Sequence, residues 1–244
     1  MIDLSGASVV ADTPDGPVRI LAPTSLTLTE SRVALIGANG SGKSTLARLI
    51  NGLVLPTAGS VRVGAPASGA ESGDPTLLDT RAEGAAVRRL VGFVFTNPQT
   101  QLVMPTVIED VALSLRRRYP NKAERLAAAR STLERFGLAG LADRSVHTLS
   151  GGQQQLLAMA SVLATEPAIV VADEPTTLLD LRNARELSAL LLGLPQQVIV
   201  ATHDLDLAAR CDRVLVIAGG EVALDSREAG CSAGEAVTWY RDRA

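Results

Sequence analysis

Apolar and polar positions alternate through the first 35 residues in short stretches that turn chemistry interrupts. Thr13-Pro14-Asp15-Gly16-Pro17 is a turn signal, and Leu26-Thr27-Leu28 alternates as a half-buried strand does. Arg32 to Ile36 is a compact apolar run of strand type. A glycine-rich stretch follows at once, and then Leu46, Leu49 and Ile50 at helical spacing. Residues 64–87 are rich in Gly, Ala, Ser, Pro and Asp and carry little periodicity. They read as a surface excursion between strands at Val61 to Val63 and Leu90 to Phe95. From 106 to 165 the period becomes helical: Val107, Val111 and Leu115 fall on one face, as do Leu126, Ala129, Leu133 and Phe136, and Gly137 supplies a stop. Strands return at Ala168 to Ala172, Val198 to Thr202 and Val214 to Ile217, with helical stretches such as Ala184 to Leu192 between them. Such alternation predicts an α/β fold with a mostly parallel sheet covered on both faces.

Composition narrows this picture. The 244 residues suit one large α/β domain, and 46% hydrophobic residues are ample for a core. Aromatics make up only 2%, so Ala, Val, Leu and Ile must build that core. The formal net charge of −3 argues against a chain that coats nucleic acid, and no nucleic-acid partner is expected. Cys211 and Cys231 are too few for a disulfide scaffold or a four-thiolate zinc site and are expected to be reduced thiols. No stretch reaches the ~18 consecutive apolar residues of a membrane span. Met1 to Ser5 lacks the basic and apolar regions of a signal peptide. A cytoplasmic protein is expected, unless another subunit brings it to a membrane.

The chemistry starts at Gly37-Ala38-Asn39-Gly40-Ser41-Gly42-Lys43-Ser44-Thr45, which fits the phosphate-binding loop G-x-x-x-x-G-K-S between a strand and a helix. Glycines let backbone N–H groups turn towards a pyrophosphate, and the following helix offers its positive end. Lys43 is expected to reach the β- and γ-phosphates, and Ser44 to ligate Mg²⁺. Ile169 to Asp173 is an apolar strand that ends in two carboxylates, Asp173 and Glu174. There Asp173 can hold the Mg²⁺ shell and Glu174 can polarise an attacking water. Alone, adjacent acids after a strand mark only a solvated loop; their pairing with the phosphate loop gives them a role. Ser150, Gly151, Gly152 and Gln153 precede another helical run and form a second anion-binding N-terminus. Two anion sites and one nucleotide loop suggest sites that face each other across a dimer.

With Gly37 to Thr45, Leu149-Ser150-Gly151-Gly152-Gln153, Asp173-Glu174-Pro175, Asp180 and His203 in this order, the chain resembles an ABC-transporter ATP-binding subunit over almost its whole length. The resemblance implies the ABC ATPase form of the P-loop NTPase fold. Its parallel core would carry an N-terminal antiparallel β part and an inserted helical subdomain. The nucleotide-binding core would be 1–95 and 166–244, and the helical, signature-bearing part about 96–165. It also implies that two subunits, identical or paralogous, sandwich ATP between one phosphate loop and the partner's signature residues. Asp180 matches the loop that communicates between the two sites, and His203 the switch histidine at the γ-phosphate. His147 has no such support and reads as structural.

Two departures stand out. Where the family has a glutamine after the strand ending at Phe95, this chain has Thr96. Threonine is too short to reach as glutamine does, so Thr96→Ala is expected to alter turnover little, and Gln99 or Gln101 could stand in. The adenine-stacking aromatic is also missing from Ser8 to Thr13, leaving aliphatic contact from Val9 or Val10.

Asn97-Pro98-Gln99-Thr100-Gln101 with Pro105-Thr106-Val107 and Glu109-Asp110-Val111 is similar to the corresponding stretch of energy-coupling-factor importers of vitamins and transition metals. The run Thr176 to Asn183 is similar to the biotin and cobalt or nickel branch, with biotin favoured. That resemblance implies a transmembrane coupling subunit and a substrate-binding membrane subunit as partners, and a peripheral place on the cytoplasmic face of the membrane. Met104 and Val107 are then either docking residues or core. A soluble ABC ATPase, for example in iron–sulfur assembly, is the competing reading. A non-hydrolysing scaffold is disfavoured by Lys43, Asp173, Glu174 and His203.

Overall fold

The computed structural model describes residues 1–64 and 76–243. Two long strands, β1 (Ile2–Thr13) and β2 (Gly16–Leu28), form an antiparallel hairpin that bulges repeatedly, where the sequence had suggested shorter pieces. Next come β3 (Arg32–Ile36), α1 (Lys43–Asn51), β4 (Ala58–Val63), β5 (Leu78–Asp79), α2 (Gly84–Leu90) and β6 (Val91–Val94). The expected surface excursion therefore holds a short strand and a helix, and Leu90 ends that helix instead of opening a strand. Part of the excursion, 65–75, lies outside the described residues. The helical block consists of α3 (Val107–Ser114), α4 (Lys122–Arg135) and α5 (Gly151–Leu163). After it follow β7 (Ile169–Asp173), α6 (Leu181–Gly193), β8 (Gln197–Ala201), α7 (Leu205–Ala208), β9 (Arg213–Ala218), β10 (Glu221–Asp225) and α8 (Ala233–Arg241).

A six-stranded sheet runs in the order β10-β9-β3-β8-β7-β6, parallel throughout except for β10 at its edge. A four-stranded antiparallel sheet, β2-β1-β4-β5, stands beside it. In the parallel strands, side chains of alternate residues enter opposite cores, as the pleat requires. Val33, Leu35, Val171 and Ile199 meet α1 and the antiparallel sheet, whereas Ala34, Ile36, Val170 and Val200 meet α5 to α8. Both faces are thus dry, which explains the continuous apolar runs of β3, β7 and β8.

A third core gathers α3, α4 and α5. Helix α5 belongs to two cores at once, with Met159 under the sheet and Leu157 and Ala160 in the helical block. It therefore ties the helical block to the strands that carry the acids. Val107 is fully buried there, so it is core and not a docking residue. Neither cysteine is in a disulfide. Burial pushes the Cys211 thiol up to about 12, so it stays protonated.

Candidate functional site

The parallel sheet delivers its chemistry at the C-terminal ends of its strands, where α/β sheets bind ligands. The loop after β3 curls back under β9. A Cβ on Gly37 would lie 2.1 Å from the Ile217 carbonyl oxygen, so only glycine fits the turn. Gly42, left-handed at φ 105°, caps α1 without any side-chain hydrogen bond, so the first-turn N–H groups of α1 are left for an anion. Ile20, residues 39–45 and Glu174 line a cleft of about 260 Å³.

Lys43 is almost buried. Its Nζ donates to the carbonyls of Gly37 at 2.8 Å and Ala38 at 3.0 Å, and lies 3.9 Å from Glu174 Oε1. Burial holds its amine below the usual lysine range, while Glu174 and Asp173 act in the opposite sense.

Asp173, 1% exposed, ends β7 beside this loop. Ser44 Oγ donates to its Oδ1 at 2.7 Å and Arg48 Nη2 to its Oδ2 at 3.1 Å. A hydroxyl and a carboxylate oxygen this close are hard donors suited to Mg²⁺, which binds through one or two protein oxygens plus phosphates and water. Among the described residues no group of three or more His, Cys, Asp or Glu is arranged to hold a metal ion by itself. That fits a metal shared with a phosphate ligand better than a protein-only cage. Arg48, which meets the Asp173 charge here, was not legible as a site residue.

Glu174 has φ 50°, a left-handed conformation that costs a non-glycine residue ~1–2 kcal/mol. It is held there by its surroundings. Its N–H donates to Ala201 O at 2.8 Å, and Oε2 accepts from the His203 backbone N–H at 3.2 Å and from Thr177 Oγ1 at 3.3 Å. His203 Nε2 lies 3.0 Å from Oε1. Three strand ends, those of β3, β7 and β8, thus bring Lys43, Ser44, Asp173, Glu174 and His203 together.

The Ser150 side chain caps α5. It accepts from Gln153 N–H at 3.3 Å, and the Gln153 side chain accepts from Ser150 N–H at 3.0 Å, a reciprocal capping box. Gly152 packs on Asn183, where a Cβ would meet the carboxamide carbon at 2.9 Å. Asp180 caps α6 through the Asn183 N–H at 2.9 Å, and that bond leads the interactions holding its carboxyl below the usual range. None of residues 149–153 lines the phosphate-loop cleft. His147 is exposed on a short 3₁₀ turn and takes no part in the cleft.

The expectations for the two departures need revision. Thr96 is not idle: its Oγ1 donates to the Asp173 carbonyl at 2.8 Å. Gln101 is committed elsewhere, bridging Phe95 N–H and Ala158 O at 3.3 Å each, and Gln99 is exposed. Val9 is buried in the core, whereas Val10 is 38% exposed; Ile20, which the sequence did not single out, lines the cleft.

Residues 21–177 match the family model described as ABC transporter. The chain is 48% identical over 92% of its length, and 92% of the relative's, to a putative ABC transporter ATP-binding protein of Deinococcus radiodurans. It is 45% identical, again over 92% of both chains, to the biotin transport ATP-binding protein BioM of Rhizobium etli. An energy-coupling factor transporter ATP-binding protein of Enterococcus faecalis is 40% identical over 84% of this chain and 71% of its own. Among solved structures, a dimeric ATP-binding cassette bound to ADP and phosphate superposes with TM-score 0.79 at 30% identity, covering 92% of this chain and 97% of that one. A subunit of a Clostridium perfringens transporter complex superposes with TM-score 0.77 at 29% identity, covering 98% and 91%.

Proposed function

We propose, from the premise that the chain belongs to the ABC transporter family and is an ATPase, that it energises an importer of the energy-coupling-factor type, with biotin favoured as cargo over a transition-metal ion. One observation carries the mechanism: the phosphate loop and Glu174 line one cleft, with Asp173 bonded to Ser44 and His203 to Glu174, while no signature residue lines it and Ser150 and Gly151 are exposed for a partner. We divide the chain into a nucleotide-binding core (1–95 and 166–244) and a helical part (about 96–165), a reading supported by the third core, whose residues all lie within the helical part.

When ATP enters, Lys43 exchanges the carbonyls of Gly37 and Ala38 for phosphate oxygens. Ser44 and Asp173 would hold Mg²⁺, which when bound neutralises charge on the phosphates. Glu174, fixed by His203 and Thr177, accepts the proton of the attacking water. Ser150, Gly151, Gly152 and Gln153 close on the ATP of a second cassette, identical or paralogous, with Asp180 nearby. ATP shifts the pair towards the closed state only because it binds that state better.

The partner surface is proposed as the groove of about 290 Å³ between β6 and α3, rimmed by Leu53, Val103 and Leu113. These are 45%, 67% and 42% exposed, an apolar rim suited to a membrane subunit's cytoplasmic segment. Among the described residues no helix is long and apolar enough to cross a membrane. A peripheral place on the cytoplasmic face, held through these membrane partners, is part of the same proposal. Val103→Glu is expected to abolish pull-down of the membrane subunits with an unchanged melt, because an unpaired charge is desolvated on docking. Val107→Glu, inside the core, should instead lower the melting temperature sharply. Normal pull-down by folded Val103→Glu would remove the groove from the interface. The cargo is tested by uptake of labelled biotin against labelled nickel and cobalt in cells lacking this chain; loss of none of the three would rule out these cargoes.

A further inference from the structure

The peptide that joins Asp173 to Glu174 is gripped from both sides of the sheet. Strand β7 pairs with β8 up to Asp173, and just beyond, Glu174 N–H donates to Ala201 O at 2.8 Å. On the other side, β6 pairs with β7 only as far as Val94 and Ala172. The Asp173 carbonyl thus lies past the end of that ladder. Thr96 Oγ1 reaches it at 2.8 Å, so a side chain adds the rung that the backbone lacks. Phe95, just before, is clamped by two glutamines: its N–H donates to Gln101 and its carbonyl accepts from Gln155 Nε2, at 3.3 Å each. Gln155 lies on α5, the helix that Ser150 caps, and Gln101 donates to Ala158 on the same helix. The threonine is thereby anchored to the signature helix.

We infer that Thr96 is a positioning residue for Glu174, fixing the Asp173–Glu174 peptide plane from the β6 side so that the glutamate stays in its left-handed conformation, facing Lys43 and His203. A peptide plane held at both N–H and C=O cannot rotate; released at the carbonyl, it can turn and carry Glu174 out of its strained φ. The hydroxyl acts through the backbone, which a glutamine side chain at this position could not do at the same short reach. The inference rests on the reading of Glu174 as the base.

The test compares Thr96→Val, which keeps the shape and removes the hydroxyl, with Thr96→Ser, which keeps the hydroxyl. Steady-state ATP turnover and thermal melting are measured on the full chain. Loss of one positioning hydrogen bond is expected to lower kcat about tenfold in Thr96→Val. The KM for ATP and the melt should be unchanged, and Thr96→Ser should stay within about twofold of wild type. Wild-type kcat in folded Thr96→Val would overturn the inference, as would a serine variant that falls as far as valine, or a change confined to KM. Should Thr96→Val melt early, Thr96→Ala is judged by the same criteria. Glu174→Gln is run in parallel. If it is inactive while Thr96→Val is normal, only this inference fails; if Glu174→Gln turns over normally, the reading of the base fails first.

Discussion

Glu174→Gln is expected to bind ATP as the wild type does and to lose ~10²- to 10⁴-fold in turnover, the range that a general base contributes. The side chain is nearly isosteric, so the donors that hold it, His203 N–H and Thr177 Oγ1, still find an acceptor oxygen. Proton acceptance is lost, together with the negative charge that faces Lys43 and the His203 ring. Because hydrolysis no longer resets the pair, the variant should accumulate as an ATP-bound dimer. Phosphate release and light scattering in ATP check both halves. Turnover near wild type would mean that the water is activated elsewhere.

Gly151→Asp is expected to leave the monomer intact and abolish ATP-driven dimerisation. A Cβ at Gly151 meets only the Leu178 carbonyl, at 3.6 Å, so the aspartate fits without strain, and an acid in the first turn suits a helix N-terminus. Gly152 is a poorer probe, because a Cβ there collides with Asn183 and would confuse folding with binding. In the closed dimer the new carboxylate would face a γ-phosphate. At ~4 Å and an effective dielectric near 20, like charges repel by about 4 kcal/mol, roughly a thousandfold in affinity. Sizing chromatography with ATP, together with nucleotide titration of the monomer, gives the answer. A variant that dimerises normally would mean that this loop does not close on phosphate.

What the sequence revealed of this site, and what it hid, follows from how far apart the interacting residues lie. The phosphate loop was legible because strand, glycines, Lys43 and helix are contiguous, and each residue type answers a local requirement. Asp173 and Glu174 were legible as the end of a wholly apolar strand. Arg48 was not, because an arginine on a helix is ordinary until its partner is known to be Asp173, 125 residues away. Thr96 looked like a loss for the same reason. Its hydroxyl was weighed against the reach of glutamine, whereas its partner is a backbone carbonyl 77 residues on, a contact that only the β6–β7 register creates. Val107 illustrates a different blindness. Helical spacing shows that Val107 and Val111 share a face, but not whether that face meets α4 and α5 or a partner; the packing settles it as core. Helix α2 and strand β10 escaped notice because each is short and weakly periodic, whereas α8, which opens with the Ser232–Glu235 capping box and packs Ala236 and Val237 under the sheet, was legible but passed over.

The central claim is that this chain hydrolyses ATP to drive a membrane importer. It is tested most directly by measuring phosphate release from the complex captured on the chain from detergent-solubilised membranes, for wild type and Glu174→Gln side by side. The account expects integral membrane subunits in both captures, with ATP turnover in the wild type and at most about a hundredth of it in the variant. Capture without membrane subunits, or equal turnover from both, would contradict it.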